Sequence, residues 1–244
     1  MIIFIAFTFL ICYNGFVEKA YRASLSSTYT YNCTITADST LSNVTFFIPV
    51  PSDPSGNSPI VTRFSNQDIT GIPKDWTVTL YDTGKATLVK ITTPSIIPLE
   101  KTSSDKPFTI TLSSAVPSDT VIDTRDPVNH SALFHPVQGL RQVSCSPGSS
   151  TGDKTPQCYR YLTSLYAEYQ APPDAAVNIS SVITGKNSWK IFGYEFNEYS
   201  TGVITVLSGP QRGWNVMEGE LISGTGTNEI PTLPAKSLES FMGV

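Results

Sequence analysis

Hydrophobic and polar residues alternate with a period of two along much of the chain, and helical spacing is nearly absent. Thr28–Ala37 places Tyr29, Tyr31, Cys33 and Ile35 on one face and Thr or Asn on the other. Val44–Val50 is a short apolar run stopped by Pro49 and Pro51. Trp76–Asp82 and Ala86–Thr92 flank Thr83-Gly84-Lys85, which predicts a hairpin. Further strands are predicted over Phe108–Ala115, Val137–Cys145, Cys158–Gln170, Val177–Thr184, Ser188–Phe196, Val203–Leu207 and Val216–Ser223. Loops are expected over Asn197–Gly202 and Gly209–Gly213. Within Cys158–Gln170, Tyr159, Tyr161, Thr163, Leu165, Ala167 and Tyr169 share one face of a strand. Leu162 and Tyr166 also stand four apart, as a helix would place them, but the aromatic content and Pro172-Pro173 favour a long strand. About ten short strands with Pro and Gly between them predict an all-β fold, an antiparallel β-sandwich with little helix beyond the N-terminal segment.

That N-terminal segment is different in kind. Ile2–Cys12 is an apolar run of eleven residues, extended weakly by Phe16 and Val17 and closed by Glu18-Lys19. As a helix it rises about 17 Å, short of a hydrocarbon core of roughly 30 Å. Residues 1–26 therefore read as a signal peptide or an N-terminal apolar anchor, with Ser24-Leu25-Ser26 the best small-x-small cleavage match. No Lys or Arg precedes the run, and Ile11 before Cys12 does not suit a lipoprotein site. A chain with this segment is expected outside the cytoplasm, secreted or at the cell surface. Residues 27–224 form the β domain, as one sandwich or as two halves divided near 117–136, and 225–244 are expected to be a flexible tail.

Composition narrows the partners. Lys and Arg number 16 against 20 Asp and Glu, a net charge of −4 with no basic run, which excludes a phosphate-neutralising nucleic-acid binder. Cys145 and Cys158 bracket a loop rich in Pro, Gly and Ser, and in an exported chain they are expected to form a disulfide. Cys33, in the alternating first strand, is expected in the core; the alternative is an intermolecular bridge, and self-association is open through sheet edges or through Cys33. Four Asn-x-Ser/Thr triplets mark Asn32, Asn43, Asn129 and Asn178 as glycosylation candidates, although 29 Ser and 29 Thr produce some such triplets by chance.

Candidate chemistry is sparse. Gly148–Gly152 matches G-x-S-x-G without the strand and helix that a nucleophile elbow needs, and Ser103-Ser104-Asp105-Lys106 lacks the partners of S-x-x-K. The densest polar cluster is Asp123–His130. Asp123, Asp126 and Asn129 offer hard oxygens of the kind Ca²⁺ takes, and His130 with an Asp would make a hydrolase's acid–base pair. The competing reading is that these residues cap turns. Trp189, Tyr194, Tyr199 and Trp214 fall at strand ends or loops, where exposed rings would stack on sugars and buried ones would be core. No other cofactor is implied.

Leu41-Ser42-Asn43-Val44-Thr45-Phe46-Phe47-Ile48-Pro49-Val50-Pro51, Ile69-Thr70-Gly71-Ile72-Pro73 and Gly209-Pro210-Gln211-Arg212-Gly213-Trp214 are turn and strand patterns. Through them the chain resembles, over about residues 28–224, uncharacterised exported β-rich proteins of methanogenic archaea. The resemblance implies an extracytoplasmic, envelope-associated protein and no activity. The expected function is thus a structural or binding role in the cell envelope, with envelope proteins or glycans as partners. Its alternatives are a carbohydrate-binding module and a hydrolase.

Overall fold

The computed structural model describes residues 2–53, 55–84, 86–98, 107–130, 133–146 and 156–227. Helix α1 (Ile2–Ser24) passes through Leu25 into β1 (Ser26–Ala37). There follow β2 (Leu41–Pro49), β3 (Pro51–Ser52), α2 (Val61–Ser65), β4 (Thr77–Asp82), β5 (Thr87–Ile96), β6 (Phe108–Ser118) and α3 (Pro127–His130). The second half supplies β7 (Leu133–Phe134), β8 (Gln138–Val143), β9 (Gln157–Gln170), β10 (Ala176–Lys190), β11 (Tyr194–Ser208) and β12 (Gln211–Gly226). The fold is all-β and antiparallel, as the alternation predicts.

Ten strands form one sheet in the order β4-β5-β2-β9-β12-β11-β10-β1-β6, with β8 paired to β9. β12 occupies one edge of β9; the other is shared by β8, opposite residues 158–162, and β2, opposite residues 166–170. The sheet curls. Thr70, ahead of β4, pairs with Ser113 of β6, and the ring of Trp76 lies 6.4 Å from that of Phe108. The two layers expected of a sandwich are therefore the two halves of one sheet facing each other over a shared core. Strands of the C-terminal half sit between β2 and β1, so residues 117–136 do not separate two units.

Those residues instead close one end of the sheet. Ile122 and Thr124 are buried there, held by an amide network. Asn187 Oδ1 accepts the Ser27 hydroxyl at 2.7 Å and the Ile122 N–H at 3.0 Å. Its Nδ2 donates to the Ile122 carbonyl and to Asn197 Oδ1, both at 2.8 Å, and Thr124 Oγ1 donates to Asn197 Oδ1 at 3.1 Å. A buried amide is tolerated only when satisfied in this way. Two inward glycines make room for rings, Gly185 beside the network and Gly219 farther along the sheet. A Cβ on Gly185 would stand 2.3 Å from the Tyr199 ring opposite it, and one on Gly219 would stand 2.5 Å from the Tyr161 ring. The other end of the interior is apolar, built on Ile35, Phe46, Ile48, Ile91 and Leu112.

Two boundaries differ from the sequence reading. A strand over Ser188–Phe196 and a loop over Asn197–Gly202 are not formed: β10 continues to Lys190, and β11 runs unbroken over Tyr194–Ser208. Asn187 and Asn197 are core residues of long strands, and their polarity imitates a loop. Likewise Gln211-Arg212-Gly213 is not loop but the start of β12, which reaches Gly226 beyond the expected Ser223. Residues 228–244 of the expected tail lie outside the described residues.

Candidate functional site

Strict alternation turns Leu162 of β9, Val182 of β10, Ile204 and Val206 of β11, and Trp214 and Val216 of β12 onto the outer face of the sheet. All six are exposed, Val206, Trp214 and Val216 by 60% or more. Scattered exposed aliphatics need no account, but a contiguous stretch on neighbouring strands marks a surface that meets something. A trough of about 720 Å³ lies within this face. Leu162, Val182 and Ile204 line it together with the charged Arg141, Arg160, Glu218 and Glu220. Gly202 sits at its centre between Val182 and Glu220, and the missing side chain deepens it. Arg160 stands opposite both Arg141 and Glu220, yet no ion pair within 4 Å joins these four charged groups among the described residues. They remain available to a partner.

The trough's outer wall is β8, a strand exposed along nearly its whole length. What holds it is the disulfide Cys145–Cys158, with Cα atoms 5.2 Å apart, which ties the chain just after β8 to the start of β9. The expected bond is therefore present, and it braces the site's edge. Cys33, by contrast, is 1% exposed in the core, and burial pushes its thiol pKa up. An intermolecular bridge through it would require the sheet to open.

A row of aromatic rings continues the same face. Trp214 meets Tyr166 at 5.6 Å, Tyr166 meets Phe47 at 5.6 Å, and Phe47 meets Tyr81 at 5.2 Å, all edge to face. Lys90 Nζ lies over the Phe47 ring at 5.6 Å. Tyr166 donates its hydroxyl to Glu168 Oε2 at 2.8 Å, which holds the phenol pKa up. The sequence reading named Trp214 alone. Its cross-strand partners depend on register, which a single strand's pattern does not carry.

The remaining candidates separate. Trp189 and Tyr199 are 1% and 0% exposed, so they are core residues and offer no stacking face. Tyr194 is 65% exposed, but it begins β11 at the end of the sheet opposite Trp214. The four rings do not converge. Asp123 and Asp126 face solvent, and Asp123 Oδ1 accepts the backbone N–H of Arg125 at 2.9 Å and of Asp126 at 3.0 Å, a turn-capping arrangement. The side chains of Asn129 and His130, on α3, lie outside the described residues, as do Ser103–Lys106 and Gly148–Gly152. No group of three or more His, Cys, Asp or Glu side chains is placed to hold a metal among the described residues. Asn32, Asn43 and Asn178 are exposed at the surface, with Asn32 accepting the Ser113 hydroxyl at 2.6 Å.

A second concavity of about 330 Å³ joins Asp53, Asp82 and His135. Burial lowers the His135 pKa, opposed by the charge of Asp53. At Asp53 partial burial works against ionisation, but hydrogen bonds from Asn57, Ser55 and Gly56 outweigh it and hold the carboxyl below its usual range. No hydrogen bond or ion pair links His135 to Asp53 among the described residues, so the pair is not an assembled acid–base couple.

No family model, curated protein or solved structure matches the chain.

Proposed function

We propose that this is an exported, surface-located protein with a binding or structural role in the cell envelope. The observation that carries the reading is the outer face of β9–β12: six contiguous exposed apolar side chains around a trough whose four charges are unpaired. Apolar ground with both signs of charge at its margin suits a folded protein partner, which buries the aliphatic centre and pairs the rim. The disulfide supports location, because such bonds persist in oxidising compartments. The exposed Asn32, Asn43 and Asn178 would accept glycans there, and envelope proteins or glycans are the partners this surface would meet.

The test is protease treatment of intact producing cells, followed by electrophoresis with and without reductant. Export predicts degradation without lysis, a mobility shift on reduction, and a mass above that of the polypeptide if the sequons are used. Survival of the protein until lysis, with both cysteines alkylated as free thiols, would refute the location. For binding, chemical cross-linking on the cell should trap a partner that Val216→Asp fails to trap; equal capture by both would remove the outer face from the reading.

A further inference from the structure

The sequence leaves α1 as either a discarded leader or a retained anchor. We propose that α1 stays on the folded protein and, together with the tip of the β10–β11 hairpin, seats it on a lipid bilayer. The proposal extends the export reading by naming what the N-terminal segment does afterwards.

The last turn of α1 is part of the domain. Tyr21 is 7% exposed, and its ring packs edge-on against Trp189 at 5.4 Å. Trp189 is 1% exposed. Ser24 Oγ accepts the Lys190 N–H at 2.9 Å, and its one proton is shared between the Ala20 carbonyl of its own helix at 2.7 Å and the Lys190 carbonyl at 3.0 Å, so the hydroxyl ties the helix end to the end of β10. Loss of residues 1–26 would take the Tyr21 ring from Trp189 and leave the end of β10 paired on its β11 edge alone. A leader destined for removal has no reason to complete the core of what it leaves behind.

Beyond this junction the hairpin tip follows the helix. Phe192, 73% exposed, stacks on Tyr13 at 6.2 Å and lies 6.4 Å from Phe16, itself 58% exposed. Tyr194, 65% exposed at the start of β11, lies instead 6.3 Å from Phe196. Lys19 and Lys190 are exposed on the domain side of these rings, and Arg22 there is paired with Glu18 at 2.8 Å. The order along α1 is therefore an apolar run from Ile2 to Cys12, then aromatic rings at Tyr13 and Phe16, then charges from Glu18 onward. That is the sequence of environments met on leaving a bilayer: hydrocarbon, interface, and water with anionic headgroups. The run rises about 17 Å, enough to pass through the hydrocarbon of one leaflet. Among the described residues no helix is long and apolar enough to cross a membrane, and insertion does not need one. The lipid surface, rather than a protein groove, is the occupant because exposed rings of two separate elements, Tyr13 and Phe16 of α1 and Phe192 of the hairpin tip, meet where the apolar run ends, with Lys19 and Lys190 exposed beyond them.

The test uses the full chain, in cells and with vesicles of phosphatidylcholine and phosphatidylglycerol. Intact mass of the cell-derived protein should include α1, and alkaline carbonate should leave the protein in the membrane pellet. In flotation the full chain should rise with the vesicles. Phe192→Ser combined with Tyr194→Ser should weaken vesicle partitioning about tenfold while lowering the melting temperature by only about 1–2 °C, because both side chains are exposed and lose only surface ring contacts. A cell-derived N-terminus at or beyond Glu18 with the protein in the soluble fraction overturns the proposal, as does a full chain that fails to float. A protein that floats and keeps α1 but is shielded from protease in intact cells supports the anchor and overturns export instead.

Discussion

On the inner face of β10 and β11 lie Ser181, Asn187, Asn197 and Thr201, all at most 4% exposed. The outer face of the same strands, with β12, presents Val182, Ile204, Val206 and Val216, all at least 36% exposed. At these positions polar groups turn inward, among apolar inward neighbours such as Ile179, Ile183 and Val203, and aliphatic groups turn outward. Asn187 and Asn197 of the inward set are hydrogen-bonded to the closing loop at Ile122 and Thr124 and specify how the end of the sheet is sealed, while Ser181 and Thr201 meet the hydroxyls of Tyr31 and Tyr161. The outward set has no such partner and gains nothing from folding alone. The difference separates two demands on one strand: closure on the inside and contact on the outside.

The contrast breaks first if the inner network is dispensable. Asn187→Ala removes bonds to Ser27, to both backbone groups of Ile122 and to Asn197, leaving several buried groups unpaired. At about 1–3 kcal/mol per orphaned group, with partial relaxation, the loss should reach about 3–4 kcal/mol in denaturant unfolding. A change below about 1 kcal/mol would mean that the amides are incidental. Next comes Cys145→Ser, expected to cost about 3 kcal/mol through the unfolded chain's regained freedom. This variant sharpens the comparison, because β8 walls the outer trough: partner binding should fall with stability, whereas Asn187→Ala should spare binding in the molecules that remain folded.

Tyr161→Phe is expected to cost about 1 kcal/mol, the worth of its 2.9 Å hydrogen bond with Thr201. Its pH dependence is more telling. Burial pushes the Tyr161 pKa up to about 12, partly offset by the Thr201 hydroxyl. The unfolded chain releases this proton near the ordinary tyrosine value of about 10, and the native one only near 12. Stability held below pH 10 should therefore drain between about pH 10 and 12, and Tyr161→Phe should flatten part of that slope. His135 acts at the other end of the scale: with its native pKa depressed, stability should fall modestly as pH drops below about 6.5, because the unfolded chain binds the proton first.

The period-two pattern was enough to read the fold class and most strands, because one-sided burial imposes it directly on the residues. Tyr159 to Tyr169 was legible as an inward face despite the helical spacing of Leu162 and Tyr166. The pattern failed where burial and polarity part company: Asn187 and Asn197 occupy core positions with loop chemistry, so one hairpin was displaced by several residues. The site was less legible than the fold. Val206 and Val216 look like ordinary strand residues until the curl of the sheet shows which face is sealed. Trp189 and Tyr199 show the same limit from the other side, since an aromatic residue near a strand end has equal claim to core and surface. Pairing Trp214 with Tyr166, Phe47 and Tyr81 requires strand order, which no local pattern contains.

The smallest expected effect is the most discriminating for the outer face. Val216 is 60% exposed, and threonine keeps its branched shape and its fit to a pleated strand. Val216→Thr should change stability by no more than about 0.5 kcal/mol, a shift of about 1–2 °C in a chain of this size. If the face exists to meet a partner, that substitution should still weaken capture, since it places a hydroxyl where an apolar surface is to be desolvated. The same change at Val203, 2% exposed on the inner face of the adjacent strand, should reverse the balance: several degrees lost in melting, and capture unchanged in the folded fraction. Equal stability losses at the two positions would mean that the outer valines are packed, and the distinction between the faces would fall. Equal silence at Val216 in both assays would leave the inner contrast intact and show that the partner engages the aromatic row or the charged trough instead.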